Sequence, residues 1–229
     1  MLLVKNSRWL VILMCMFVVG CATNRSALTL KSSAVTPANA VAKTGQTAVI
    51  RLVKDNRVFE QAPKDPSIPS LGFEGAANAT AALKAKAVGR KRNGFGKAMG
   101  DITLQEGKTV EGVVKERLAL ALEQAGYDVK QAGEVAQPNL VVDVNVKQFW
   151  AWFQPGFWAI ALHTRIETDL NLDGAAAPIT IKTDVQESRQ AATDGAWVSV
   201  LGKGLDDYQV KVTDALVKLK QNSATTQTP

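Results

Sequence analysis

The sequence has few of the side chains on which metal sites and nucleophilic active sites depend. Its 229 residues include one histidine, His163, and two cysteines, Cys15 and Cys21. Zinc sites take several Cys or His ligands at close spacing, which this chain lacks. Many hydrolases carry their serine in Gly-x-Ser-x-Gly beside a histidine base, and the sequence contains no such motif. We therefore expect no metal, no cofactor and no catalytic residue, and the sequence predicts a protein that is not an enzyme.

The sequence also lacks an apolar run long enough to cross a membrane. A bilayer-spanning helix needs about 20 residues, and the apolar run near the start covers only residues 9–19. Two basic residues precede this run, which is the layout of a secretory signal peptide. The run ends in Val18-Val19-Gly20-Cys21, which resembles the lipobox of bacterial lipoproteins. The resemblance implies a signal peptide over 1–20, cleavage before Cys21, and lipidation of Cys21 with fatty acids such as palmitate.

Removal of the signal peptide would leave Cys21 as the only cysteine, so no internal disulfide is expected. Each buried CH₂ of an acyl chain contributes about 0.8 kcal/mol, and two or more chains anchor a protein stably. The next residue is Ala22, and a residue other than Asp at this position resembles the outer-membrane sorting signal of many Gram-negative lipoproteins. We expect a lipid-anchored protein that faces the periplasm from the cell outer membrane, with the inner membrane as the alternative.

Acidic residues are slightly outnumbered by basic ones. The chain has 27 Lys and Arg against 21 Asp and Glu, a net charge of +6. Loss of the two basic residues of the signal peptide would lower this to +4. A mild positive excess favours an anionic membrane surface. Because an exported protein does not meet nucleic acid, we expect no nucleic-acid partner.

Composition divides the mature chain into three parts. Residues 21–46 comprise the lipidated cysteine and a stretch rich in Ala, Ser, Thr and Asn without a hydrophobic period, which predicts a flexible tether. Residues 221–229 are polar and predict a disordered tail. Residues 47–220 contain no internal repeat and have the length of one ordinary domain.

Hydrophobic periodicity predicts an α+β fold for this domain. Apolar stripes at helical spacing indicate helices over 109–125 and about 205–220. Alternation of apolar and polar residues indicates three consecutive strands between 140 and 185, and a further strand over 47–53. We predict an antiparallel sheet with two helices packed on one face, and a long β-hairpin with an aromatic tip.

The tip of that hairpin reads Phe149-Trp-Ala-Trp-Phe153-Gln-Pro-Gly-Phe157-Trp158, and its Pro-Gly pair indicates a turn. A three-residue loop would pair Phe153 with Phe157 and keep the apolar residues of the two strands in phase. A two-residue turn would instead put apolar and charged residues on one face, which a one-sided core does not allow. We therefore predict an odd loop length.

This register predicts that the tryptophans and phenylalanines of the tip lie on opposite faces, and helices on one face cannot cover both sets. The uncovered set either contacts a membrane or a partner, for which the amphipathic tryptophan ring is suited, or is covered by the loop 54–75. The contact residues in the first case are Trp150, Trp152, Phe153, Phe157 and Trp158.

A second segment combines basic residues with glycines. Arg90, Lys91, Arg92 and Lys97 occur in a stretch without acids, but the glycine spacing fits neither a P-loop nor a dinucleotide fingerprint. The segment predicts a cationic loop with an exposed backbone. It is either simply solvated or holds an anionic headgroup, a polysaccharide phosphate or an acidic partner. The preceding residues 76–88 fit either a helix or a strand.

Several phrases together resemble the YajG-like family of bacterial lipoproteins. They are the lipobox, the basic and glycine-rich residues 88–96, Gly100-Asp-Ile-Thr-Leu104, and the helix followed by Gly126-Tyr-Asp-Val129. The stretch 149–158 is similar to that of members labelled flagellar biosynthesis proteins. The layout is also similar to LptE-like auxiliary lipoproteins of envelope transport, a likeness of fold that does not carry function. The family resemblance implies no catalytic residues.

These features predict a non-enzymatic envelope lipoprotein that supports assembly or transport through contacts with an envelope protein and with lipid. Two alternatives stay open on the sequence alone. One is a carrier that binds an anionic lipid or glycan, and the other is a lipoprotein associated with flagellar biogenesis.

Overall fold

The computed structural model describes residues 24–30, 35–73, 75–93, 95 and 97–226. Cys21 and the predicted signal peptide, residues 1–20, lie outside the described residues. The described part contains an eight-stranded sheet and four helices. The strands are β1 Ser26–Leu28, β2 Gln46–Asp55, β3 Ala87–Arg92, β4 Ala98–Leu104, β5 Tyr127–Lys130, β6 Leu140–Gln154, β7 Ile160–Leu172 and β8 Ile179–Arg189. The helices are α1 Gly75–Asn78, α2 Ala81–Lys86, α3 Val110–Gln124 and α4 Asp194–Thr226.

The sheet is mixed, and the prediction of an antiparallel sheet was wrong for its first half. The predicted meander of β6, β7 and β8 is antiparallel, and so is the pair β3–β4. The pairs β1–β4, β2–β5, β2–β6 and β3–β6 are parallel. Parallel strands need long crossover connections, and here the connections between β2 and β6 contain the first three helices.

One edge of the long strand β6 is shared by two strands that lie end to end. β2 pairs with the first half of β6 as far as Asp55 opposite Val146, and β3 pairs further along, with Gly89 opposite Ala151. The sheet therefore forks at this edge, while β7 follows the other edge along nearly its whole length. A β-bulge in β6 between Val146 and Gln148 lies at the same level as the fork.

A buried arginine fills the fork. The Arg57 side chain is fully buried, and its Nη1 donates to the carbonyl oxygens of Ala87 at 2.6 Å and Phe149 at 3.0 Å. Its Nη2 donates to the Lys84 carbonyl at 2.7 Å and to the Asp55 carboxylate, also at 2.7 Å. Arg57 thus donates hydrogen bonds to backbone carbonyls at the fork, and buried backbone carbonyls require such donors.

Two long helices cover one face of the sheet, as predicted. The inward-facing residues of β6 and β7 form one core with the apolar stripes of α3 and α4. The α3 stripe is the predicted one, and its helix starts at the N-cap Thr109, whose side chain accepts from Gly112 N at 3.1 Å. Helix α4 is longer at both ends than the predicted 205–220, and it continues through Thr226 into the segment predicted as a disordered tail.

The segment predicted as a flexible tether is held against the domain along most of its described length. Residues 26–28 form β1, and Leu28 is buried in the core. Further along, the Val35 carbonyl accepts from Gln124 Nε2 at 2.5 Å and Gln209 Nε2 at 2.8 Å, between the two long helices. The sequence did not predict the strand in this segment, because a three-residue edge strand is too short to show alternation of apolar and polar residues.

Two glycines of α4 provide a test of how closely this helix approaches the sheet. A Cβ at Gly204 would lie 2.5 Å from Cγ2 of the buried Thr164, whereas a Cβ at Gly202 would meet no atom within 4 Å. We expect Gly204→Ala to lower the free energy of unfolding by about 1–3 kcal/mol, because the helix must shift. Gly202→Ala should raise it by up to about 1 kcal/mol through helix propensity. Urea unfolding of both variants measures the difference, and equal effects would contradict the close packing.

Candidate functional site

The aromatic hairpin has a longer turn than predicted. Gln154 pairs with Ala161 and Phe153 with Leu162, so six residues connect the paired positions. The predicted pairing of Phe153 with Phe157, and with it the odd loop length, was wrong. The apolar residues of the two strands stay in phase because the β-bulge after Val146 moves the following residues of β6 by one position.

The two faces of the hairpin nevertheless separate the phenylalanines from the tryptophans. Phe149 and Phe153 are buried in the main core beneath the long helices. Trp150 and Trp152 are buried on the opposite face, in a second cluster with Leu71.

The segment 54–75 covers this second face, which is the alternative that the sequence left open. The indole Nε1 of Trp150 donates to the Pro66 carbonyl at 3.2 Å, and Phe59 packs edge-on against the Trp150 ring at 6.0 Å between centroids. Trp150, Trp152 and Phe153 are therefore internal to the fold, and they present almost no surface to a membrane or a partner.

Within the hairpin, aromatic side chains are exposed only at the turn. Phe157 is 91% exposed and Trp158 is 84% exposed, and their rings contact each other edge-on at 4.8 Å. Large apolar side chains held this far into solvent are typical of contact surfaces. Of the five aromatic residues predicted to make contacts, the structure leaves these two accessible.

The basic segment is a strand rather than a loop over most of its length. Arg90, Lys91 and Arg92 belong to β3 and are half-buried. The Arg90 guanidinium lies beside Ser70 Oγ at 3.4 Å, and Lys91 Nζ donates to Ser26 Oγ at 2.6 Å. Burial lowers the pKa of Arg90 and Arg92, against the opposing effect of nearby carboxylates. Lys97, after the strand, is exposed.

Asp101 connects the segment before β1 to the cover of the second face through hydrogen bonds, a role that sequence reasoning missed. Its carboxylate is fully buried and accepts from Gly72 N at 2.6 Å and from Arg25 Nε at 3.0 Å. Arg25 in turn lies over the ring of Phe73 at 4.6 Å. Asp101 is the acidic residue in the segment Gly100–Leu104. An acid between apolar residues of a buried strand could have indicated a buried hydrogen-bond acceptor of this kind.

His163 packs against the aromatic residues of the hairpin. Its ring stacks on Trp152 at 4.9 Å between centroids, and burial lowers its pKa, with Asp184 opposing. Across the residues that the structure describes, no group of three or more His, Cys, Asp or Glu side chains is placed to hold a metal ion.

The exposed aromatic residues lie at one end of the sheet because of the directions of the strands. β6 ends and β7 begins at the turn with Phe157 and Trp158, and β3, parallel to β6, ends there at the loop 93–97. β1 and β4 begin at this end, because β4 is antiparallel to β3 and parallel to β1. We call this the aromatic end, defined by Phe73, Phe95, Phe157 and Trp158 together with Asn24 in the segment that leads into β1.

Two open clefts connect the parts of this end. One, of about 520 Å³, lies between Arg92, Arg165 and the hairpin residues Trp152–Pro155, with the segment 64–67 on its other side. The other, of about 490 Å³, lies between Asn24, Arg92 and the start of α4 at Asp194. Both are lined by mixed polar and apolar residues. Arg92 borders both clefts, which places the hairpin turn, the basic strand and Asn24 next to one another.

Comparison with known proteins shows a shared fold. No protein-family model matches the sequence, and no curated protein sequence matches it significantly. A crystal structure of a Xanthomonas campestris protein of the DUF330 family is similar with a TM-score of 0.54 at 12% identity, over 87% of this chain and 98% of that one. At this identity the similarity shows the fold alone.

Two further solved structures are more distantly similar. A candidate homologue of the neuraminyllactose-binding hemagglutinin from Helicobacter pylori has a TM-score of 0.42 at 13% identity, over 89% of this chain and 100% of that one. A candidate lipoprotein from Caulobacter crescentus has a TM-score of 0.26 at 15% identity, over 50% of this chain and 80% of that one. None of the helices in the described ranges has both the length and the apolar character to traverse a bilayer.

Proposed function

We propose that this protein is a non-enzymatic lipoprotein of the cell envelope. It is anchored through fatty acids on Cys21, faces the periplasm from the outer membrane, and supports assembly or transport through contacts with a neighbouring envelope protein. The observation that carries the proposal is the position of the folded domain relative to the lipobox. β1 begins at Ser26, five residues after Cys21, so an anchor on Cys21 keeps the domain beside the membrane.

The described residues also support a contact function rather than an enzymatic one. Ionisable groups inside the domain are used in structural pairs, such as Arg57 with Asp55 and Arg117 with Asp206. The clefts at the aromatic end are open and of mixed polarity. An enclosed acyl chain would need an apolar cavity, so no observation favours the carrier alternative. None favours the flagellar alternative either.

The two cysteines provide a matched test of the anchor. We expect the wild-type protein and Cys15→Ser to incorporate radiolabelled palmitate and to sediment with the outer membrane, because Cys15 lies in the predicted signal peptide. Cys21→Ser should lose the label completely, because the other cysteine, Cys15, lies within the predicted signal peptide and not at the lipidated position. Autoradiography and membrane fractionation measure both properties. Palmitate on Cys21→Ser, or its normal maturation and fractionation, would overturn the anchor.

The contact function is tested by reversible crosslinking in intact cells. A defined envelope protein should be recovered with the wild type and with Cys15→Ser at equal yield. Cys21→Ser should recover much less, because the unanchored domain is diluted away from its partner. Recovery of abundant porins alone, in equal amounts from all three, would count against a specific partner.

A further inference from the structure

We infer that the aromatic end of the domain lies on the anionic lipid surface of the membrane that holds its anchor, an inference that rests on the anchored function proposed above. The alternative for this end is a contact with another protein. Three independent features of the described residues favour lipid: the place where the chain enters the domain, the distribution of exposed aromatic residues, and the charges around them.

The chain enters the domain at this end. Asn24 is the first described residue and lines the cleft beside Arg92 and the start of α4. Three residues of chain lead back from Asn24 to Cys21, and even fully extended they reach only about 10 Å. Acyl chains on Cys21 therefore hold Asn24 within that distance of the lipid. The surface next to Asn24 must face the bilayer closely, whereas the opposite end of the sheet points away from it.

The exposed aromatic side chains of the described residues are all at this end. Phe95 is 97% exposed in the loop between β3 and β4, and Phe73 is also exposed, beside Arg25. Together with Phe157 and Trp158 they provide rings without any covering element. Phenylalanine and tryptophan rings enter the interfacial region of a bilayer, and a tryptophan N–H keeps a polar partner there.

The position of Phe95 is built by the fold rather than left to a loose loop. Asn93 N donates to the Lys97 carbonyl at 2.9 Å and closes the turn. The Asn93 side-chain oxygen then accepts from Phe95 N at 3.0 Å and from Lys97 N at 2.9 Å. These hydrogen bonds hold the backbone nitrogens of Phe95 and Lys97 on the Asn93 side chain, while the Phe95 ring extends into solvent.

Basic side chains lie at the same end of the sheet as these rings. Among the described residues, Arg25, Lys91, Arg92 and Lys97 lie at this end, together with the acidic groups Asp65, Asp194 and the buried Asp101. Arg25 is paired with Asp101, and Lys97, two residues after Phe95, is exposed. Basic residues beside apolar rings are the arrangement by which proteins bind anionic membrane surfaces. The turn at the opposite end, residues 173–178, carries no aromatic residue.

Tryptophan fluorescence tests the orientation. The mature, lipidated protein is purified from membranes and reconstituted into vesicles of phosphatidylcholine and phosphatidylglycerol, with or without brominated acyl chains that quench tryptophan on contact. Three variants are compared: wild type, Trp158→Phe, and Trp158→Phe with Ala176→Trp. Ala176 is exposed in the turn at the opposite end. The described tryptophans Trp150, Trp152 and Trp197 are buried and give a constant background.

We expect brominated lipid to quench the wild type strongly and Trp158→Phe hardly at all, with no return of quenching in the Ala176→Trp variant. Equal emission of the wild type in plain and brominated vesicles would overturn the inference and assign this end to a protein contact. Equal quenching from position 176 would also overturn it.

Flotation of the same vesicles separates the two proposals. Protein that floats without quenching contradicts only the orientation, whereas protein that fails to float contradicts the anchor as well.

Discussion

Arg57→Met is expected to lower the free energy of unfolding by about 3–5 kcal/mol, the cost of removing one partner from a buried ion pair. Methionine approximates the length of the arginine but supplies no hydrogen-bond donor. The carbonyls of Ala87, Phe149 and Lys84 would each lose a donor, and the Asp55 carboxylate would lose its partner. Because these groups sit where β2 ends and β3 begins, the loss acts on the fork of the sheet.

The control is an arginine with two ion pairs whose side chain is largely exposed. Arg51 pairs with Asp143 at 2.6 Å and with Asp173 at 3.0 Å, and its side chain is 53% exposed. Water replaces the hydrogen bonds of an exposed pair, so Arg51→Met should change stability far less. Urea unfolding of the mature protein in mild detergent, followed by circular dichroism, measures both. Similar losses for the two variants would show that Arg57 does not hold the fork.

Trp150→Ala should have a comparably large effect, about 3–5 kcal/mol, because it opens a cavity in the second cluster. The Trp150 ring is fully buried, contacts Phe59 and donates to the Pro66 carbonyl. Its removal therefore loosens the segment 54–75 as well as the hairpin. Limited proteolysis should cut this segment faster in the variant than in the wild type.

Trp158→Ala is the matched control in the same hairpin. This residue is 84% exposed, and substitutions at exposed positions usually change stability by less than about 0.5 kcal/mol. Its effect should appear in membrane contact and not in unfolding. Should Trp158→Ala destabilise the protein as much as Trp150→Ala, the hairpin turn would belong to the core and could not serve as a contact surface.

The difference between these two tryptophans could not be read from the sequence. Both stand in the same aromatic stretch, and alternation places them on one face in the predicted register. Trp150 is covered because a segment about 90 positions earlier in the chain, carrying Phe59 and Pro66, folds over it. A Pro-rich segment has no period that indicates where it packs, so the sequence could only offer this cover as one of two alternatives.

The sequence by itself determined the elements whose hydrophobic period is long and regular. These are α3, the central part of α4, and the alternating strands β6, β7 and β8, because burying one face of a helix or strand requires apolar residues at its own period. The sequence also contains the residues Val18–Cys21 that resemble a lipobox, on which the proposed anchor depends, since such a motif is local.

Tertiary structure decided which strands pair and which aromatic residues stay in solvent. The parallel pairing of β2 and β3 with β6, the bulge after Val146 and the buried Arg57 depend on one another at the fork. None of them follows from a local pattern, because a strand's alternation is the same whichever neighbour it pairs with and in whichever direction. The aromatic end likewise exists only because the strand directions bring the loop of Phe95, the turn of Trp158 and the segment before β1 to one end of the sheet.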